Sequence, residues 1–214
     1  MSRLLIWFVK VTSILPEYIV FRKKVYYVNK KAKRYKGGAL LVSNHTSIYD
    51  FPLILFTYYF RTVRPLVAKE VYTKNFVLHA FLKGMGGIKV DRQNYDFTFT
   101  SKMIKWLKKR KLGLVFPESR LPNPNERGDL LEFKPSYIYL ALEAGVPIIP
   151  MYTNGVYGPF KRWKLKDRAR LVIGEPINPA DLFSSERTDK ENIDWINNYV
   201  REYIKELGNN LKSR

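Results

Sequence analysis

Two side chains able to share a proton stand five positions apart in Asn44-His45-Thr46-Ser47-Ile48-Tyr49-Asp50. An aspartate bonded to one ring nitrogen of a histidine fixes the tautomer. The other nitrogen is then a proton acceptor near neutral pH, as a general base requires. The stretch has a plainer reading too, because Ser47-x-x-Asp50 also suits side chains that cap a helix start. Polar groups that could serve such a base recur in Lys69, in Asp91-Arg92 and in Glu118-Ser119-Arg120. Taken singly each is weak: an Asp-Arg dipeptide usually lies on a surface, and Pro-Glu-Ser is common in loops.

These groups need elements to hold them, and the sequence supplies strands that end at them. Ala39-Leu40-Leu41-Val42 follows Gly37-Gly38 and reads as a buried strand running into His45. Asp50 opens a helix expected to reach Tyr59. Arg64–Ala68 is a strand ending at Lys69, Ile88–Val90 one ending at Asp91-Arg92, and Leu112–Phe116 one ending at Pro117-Glu118. Further strands are expected at Val25–Val28, Val146–Tyr152 and Ala169–Ile173. Helices are expected at Phe76–Leu82, at Tyr95–Lys109, through Tyr137 to Gly145, and from about Asp189 to Leu211. His79, among apolar neighbours, reads as a packed histidine without a chemical role. The Pro-, Asn- and Gly-rich stretch 121–129 reads as a surface loop. Strand alternating with helix predicts an α/β fold: a single domain, residues 37–214, with a mixed or largely parallel central sheet flanked by helices. Sites in such sheets gather at the carboxyl ends of strands.

Composition narrows the chemistry. The chain has no cysteine, which excludes disulfides, a thiol nucleophile and a cysteine zinc site. Two histidines cannot build an all-histidine metal site, no carboxylates cluster, and no metal is expected. A net charge of +19 implies an anionic partner. No nucleic-acid-binding motif is found, so no nucleic acid is expected and an anionic membrane surface fits better. The first residues agree. The apolar run Leu4–Leu15 is too short to span a bilayer, is interrupted by Lys10, and is closed by Pro16. A basic run from Arg22 to Lys36 follows. Residues 1–36 therefore read as an N-terminal membrane-associating helical segment, interfacial rather than membrane-spanning, with Lys10 on a polar face.

In order along the chain, four stretches resemble the successive motifs of the glycerol-phosphate acyltransferase superfamily, in particular the 1-acylglycerol-3-phosphate acyltransferases. They are Asn44-His45-x-x-x-x-Asp50, Gly87-Ile88-Lys89-Val90-Asp91-Arg92, Phe116-Pro117-Glu118-Ser119-Arg120 and Val146-Pro147-Ile148-Ile149-Pro150. One departs from the family's usual Phe-Pro-Glu-Gly-Thr-Arg: Ser119 stands for the Gly, the Thr is absent, and Arg120 comes two positions after Glu118.

The resemblance implies transfer of a fatty acyl group from acyl-CoA or acyl carrier protein to the hydroxyl of a lysophospholipid acceptor. The product would be phosphatidic acid, made on the cytoplasmic face of a membrane, with no cofactor beyond the donor. His45 and Asp50 would be catalytic. Arg92 and Arg120 would bind the acceptor phosphate, with Ser47, Lys69, Glu118 and Ser119 as further substrate-binding residues. No Gly-x-Ser-x-Gly elbow and no cysteine occur, so direct transfer is expected rather than an acyl-enzyme. Acylation of glycerol-3-phosphate or another lysolipid fits the same motifs. The charge alone would suit a non-catalytic basic protein on anionic membrane or nucleic acid. Such a protein has no need of His, Arg and Glu at successive strand ends.

Overall fold

The computed structural model describes residues 3–73, 76–91, 98–154 and 168–212. Seven strands form one sheet: β1 (Lys24–Tyr27), β2 (Ala39–Ser43), β3 (Val63–Ala68), β4 (Ile88–Val90), β5 (Leu112–Val115), β6 (Ile148–Thr153) and β7 (Arg170–Ile173). Their order is β1-β7-β6-β2-β5-β3-β4. Every pair is parallel except β6 with β7, so the sheet is mixed but mostly parallel. β2 lies at its centre, between β5 and β6, and every residue of β2 is buried. A parallel central strand covered on both faces reads as a continuous apolar run, which is what Ala39–Val42 shows.

Alternate residues of β2 serve the two faces. Leu40 and Val42 pack with Met103 and Leu107 of α6 (Thr98–Lys108), with Tyr137, Leu140 and Ala141 of α7 (Ser136–Ala144), and with α8 (Asp189–Lys212). α8 contributes Ile193, Ile196, Val200, Ile204, Leu207 and Leu211, spaced three or four apart as one helical face demands. It opens with a reciprocal cap, in which Thr188 N donates to Glu191 Oε2 and Glu191 N donates to Thr188 Oγ1. Ala39 and Leu41 turn to the other face. There they meet Phe51, Ile54 and Leu55 of α3 (Asp50–Thr57), together with Met85 and Ala32. Each buried leucine or isoleucine contributes roughly 1.5–3 kcal/mol over its exposed state.

The N-terminal helix differs from its expected form in two respects. α1 runs from Arg3 to Phe21, continuing past Pro16. Lys10 does not face water. It is 3% exposed, and its Nζ donates to the carbonyls of Tyr58, Tyr59 and Arg61 at 3.0, 2.7 and 2.7 Å. Those carbonyls follow the last residues of α3, where a helix leaves its C=O groups unpaired and favours a cation. At the other end of α3 the Phe21 ring meets Tyr49, centroids 5.4 Å apart. α1 thus lies antiparallel along α3. Its outward stripe, Trp7, Phe8, Val11, Ile14, Leu15, Tyr18 and Ile19, is exposed and apolar. The expected polar face is the buried one.

The first 36 residues share the sheet and core of the rest, through β1 on β7 and buried Ala32. Two short helices lie where none was expected. α2 (Lys30–Arg34) is capped by Asn29, whose side chain accepts from Ala32 N at 2.9 Å. α4 (Lys69–Thr73) starts directly at the end of β3. In α5 (Phe76–Gly84), His79 is exposed rather than packed; its Nδ1 lies 3.2 Å from the Tyr72 carbonyl and its ring sits edge-on to Tyr72. No described helix is long and apolar enough to cross a membrane.

Candidate active site

β2 delivers His45 to the carboxyl edge of the sheet, and the chain turns there to begin α3 at Asp50. The turn is built around the Asp50 side chain, which is fully buried. Oδ2 accepts Thr46 N at 2.6 Å and Ser47 N at 2.9 Å, and lies 3.0 Å from His45 Nδ1. Oδ1 accepts the Thr46 hydroxyl at 2.8 Å. A carboxyl taking so many donors is an acceptor only, so Nδ1 carries the hydrogen and Nε2 carries the lone pair. The charge also sits in the first turn of α3, where the helix dipole favours it. The His45 side chain is 22% exposed, so a reactant can reach the ring while Asp50 stays dry.

Phe116, just beyond β5, stacks on the His45 ring with centroids 4.2 Å apart and planes 15° apart. The stack fixes the ring plane and places a negative aromatic face against an imidazole that gains positive charge when it takes a proton. Asn44 fastens the end of β2 to β6: its Nδ2 donates to Thr153 O at 2.9 Å and its Oδ1 accepts Thr153 N at 2.8 Å.

Glu118 lies beside His45, 6% exposed. Its Oε2 accepts the backbone N–H of His45 at 3.2 Å, while its Oε1 has no hydrogen-bond partner among the described residues. Burial pushes the carboxyl up to about 7, against the pull of the His45 and Leu131 N–H groups. Both of these donors are main-chain groups.

The remaining expected site residues fall in different places. Ser47 is buried; its N–H serves Asp50 and its Oγ accepts Tyr49 N at 3.1 Å, so its hydroxyl stiffens the turn. Lys69 stands at the next strand end along the edge, its Nζ donating to Asp91 Oδ2 at 2.7 Å. Ser119 has φ +64, the left-handed conformation that glycine adopts without strain, and its Oγ donates to Pro117 O. Arg120 grips Glu126 with both Nη atoms at 2.7 Å. Arg92 lies outside the described residues. The edge thus gathers His45, Asp50, Ser47 and Glu118.

Sequence reasoning passed over Thr46, Phe116 and Glu126. A hydroxyl between His and Asp was a signal for Thr46; Phe116 looked like any apolar strand residue. No group of His, Asp and Glu that could hold a metal occurs among the described residues.

Residues 24–154, which span β1 to β6 and every stretch singled out above, match the model of the Acyltransferase family, and the chain belongs to that family. Relatives carry one recurring name. The 1-acyl-sn-glycerol-3-phosphate acyltransferase of Bacillus subtilis is 26% identical over 145 residues, covering 68% of this chain and 69% of that protein. The enzyme of the same name from Limnanthes douglasii is 26% identical over 173 residues, covering 78% and 56%. The human 1-acyl-sn-glycerol-3-phosphate acyltransferase beta is 30% identical over 151 residues, covering 69% and 53%. The chain therefore spans about half the length of the plant and human relatives. Among solved structures, the 1-acyl-sn-glycerophosphate (LPA) acyltransferase PlsC from Thermotoga maritima superposes with a TM-score of 0.68 at 22% identity, covering 98% of this chain and 79% of that one. That likeness establishes the fold.

Proposed function

We propose that this protein transfers a fatty acyl group from a thioester, acyl-CoA or acyl carrier protein, to the free hydroxyl of 1-acylglycerol-3-phosphate, giving phosphatidic acid. The observation that carries the reading is the His45 Nδ1–Asp50 Oδ2 contact of 3.0 Å at the central strand end. It leaves Nε2 as a base at the partly open edge. The names of the family relatives supply the acceptor class.

In this reading the acceptor hydroxyl attacks the thioester carbonyl carbon while His45 Nε2 takes its proton. Asp50 stabilises the imidazolium, as in a serine-hydrolase triad whose serine is replaced by the acceptor. The tetrahedral intermediate collapses, the C–S bond breaks, and Nε2–H returns the proton to the departing thiolate. In this reading Glu118 meets an acceptor hydroxyl; its Oε1, buried and unpaired among the described residues, supports the role. Arg120 supplies fixed charge for the acceptor phosphate.

Membrane docking belongs to the same proposal. The outward stripe of α1 offers a lipid surface a row of aromatic and aliphatic side chains, and exposed Lys24, Lys30, Lys31, Lys33 and Arg34 follow it in the chain. An acyl acceptor whose tail stays in lipid then needs only its headgroup to reach His45, and one leaflet suffices.

The test is thiol release from acyl-CoA with a panel of acceptors, for the full chain and for His45→Ala. Turnover should be greatest with 1-acylglycerol-3-phosphate and fall by at least about 10²-fold in the variant. A folded His45→Ala protein with near-normal turnover would sink the mechanism. Equal use of all acceptors would sink the substrate.

A further inference from the structure

Arg120 is occupied. Its Nη1 donates to Glu126 Oε2 and its Nη2 to Glu126 Oε1, each at 2.7 Å, and Nη1 also reaches Leu121 O at 3.2 Å. Glu126 is held independently of the arginine, because Asn123 N donates to its Oε2 at 2.8 Å in the capping box of the short 3₁₀ turn Pro124–Glu126. The loop 121–129 therefore carries a fixed carboxylate facing the guanidinium. This fork-on-fork geometry is the one by which arginine grips a phosphate. The Arg120 side chain is 51% exposed, so an incoming anion has access. It also lies close enough to Glu118, the neighbour of His45, to feel that carboxylate's charge.

We propose that Glu126 is an internal competitor for the acceptor phosphate: it occupies the Nη1–Nη2 fork of Arg120, so a phosphate gripping the guanidinium end-on must displace it and one approaching the Nε–Nη2 edge meets its charge. The proposal rests on the reading of Arg120 as the phosphate-binding group. Glu126 takes the Nη1–Nη2 fork and places a negative charge beside the Nε–Nη2 edge, so it opposes a phosphate on either side of the guanidinium. The shortened third motif fits this arrangement, since Ser119 in its left-handed conformation directly precedes Arg120, and the loop bearing Glu126 follows. An exposed pair is weakly held, so a dianionic phosphomonoester can replace it. Glu126 keeps its Asn123 contact when released, so displacement strands no buried group. Glu126 thereby sets how much acceptor is needed without touching the chemistry at His45.

The experiment uses Glu126→Gln, Arg120→Ala and the double variant of the full chain. Glutamine keeps an oxygen for Asn123 N and preserves the capping box. Steady-state thiol release is followed with 1-acylglycerol-3-phosphate and with monoacylglycerol, which lacks the phosphate. Glu126→Gln should lower the KM for the phosphate-bearing acceptor by about twofold to fivefold, the range of an exposed ion pair. The effect should read in that KM, not in kcat, not in the donor KM, and not with monoacylglycerol. In the Arg120→Ala background it should vanish, as two residues acting through one contact require. If Arg120→Ala raises the acceptor KM while Glu126→Gln leaves it unchanged or raises it, Glu126 is no competitor, and the reading of Arg120 stands. If Arg120→Ala leaves the acceptor KM unchanged, the phosphate lies elsewhere, and both the reading and the competitor fall.

Discussion

Asp50→Asn separates the charge of the carboxylate from its shape. Asp50 is fully buried, and its two oxygens have different duties: Oδ2 faces His45 Nδ1, Thr46 N and Ser47 N, while Oδ1 faces the Thr46 hydroxyl. An asparagine can place its oxygen at the Oδ2 position and its NH2 toward Thr46, whose hydroxyl rotates to accept. The turn keeps its hydrogen bonds and His45 keeps its tautomer. What disappears is charge. Three charge-assisted bonds become neutral ones of about half the strength, which costs on the order of 2 kcal/mol of stability. The imidazolium formed in the reaction loses its counter-charge, and kcat should fall about 10²–10³-fold, roughly 3–4 kcal/mol in the barrier. Asp50→Ala should cost more stability, because it strands buried N–H groups at about 1–3 kcal/mol each. Thermal melts and thiol-release kinetics read both effects. An Asp50→Asn protein with wild-type kcat and an unchanged melting temperature would refute the assignment of charge to Asp50. So would a loss of stability equal to that of Asp50→Ala.

The Glu118 carboxyl is raised from 4.5 to about 7, so the folded chain holds its proton where the unfolded chain has lost it. Its contribution is complete below pH 4.5 and is lost as pH rises through 7, by on the order of 3 kcal/mol. Glu118→Gln should flatten that segment of the stability–pH curve, and an unchanged slope would reject the buried carboxyl as its source. Ser119→Gly should leave stability within about 0.5 kcal/mol of wild type or raise it, whereas Ser119→Val should lose about 1–2 kcal/mol, because only the latter is strained at φ +64. Denaturant midpoints decide this; equal losses in both would point to the hydroxyl instead. Lys10→Met should loosen α1 by stranding the Tyr59 and Arg61 carbonyls beyond α3, the Tyr58 carbonyl keeping the Arg61 N–H, which proteolysis between Lys10 and Phe21 would report as faster cleavage. Unchanged cleavage would mean that the apolar contacts alone seat the helix.

The central strand and its histidine were legible because β2 is buried on both faces and so is apolar throughout. Its end is marked by the first polar residues, Ser43, Asn44 and His45. The long helix α8 was legible from its repeated isoleucines. The helices α2 and α4 were not, since five residues give too few positions for a period to show. Lys10 was visible as an interruption, but a single helix pattern does not say which face turns inward. A buried ammonium needs acceptors, and here they are backbone carbonyls 48 to 51 residues away, which carry no signature in residue type. The bond from the His45 N–H to Glu118 was illegible for the same reason, its donor being a main-chain group. The Arg120–Glu126 pair escaped because it closes within a loop, where no periodicity brings two charges together.

Asn44 has a consequence for how the site can be watched. Its amide exchanges two hydrogen bonds with the main chain of Thr153, the pattern of a facing pair in an antiparallel ladder, here made by a side chain across two parallel strands. The side chain thus acts as a surrogate peptide group and adds a rung to the β2–β6 ladder after β2 has ended. The backbone of His45 is released from the sheet, yet the strand beneath it cannot fray. The Thr153 amide hydrogen then owes its protection to a side chain from the turn between β2 and α3, 109 residues away in sequence. Its exchange with deuterium becomes a clock for opening of that turn, readable from the neighbouring strand β6. Aspartate in place of Asn44 would set an anion against the Thr153 carbonyl, and glutamine would overreach it, so only an asparagine keeps the clock and the turn coupled.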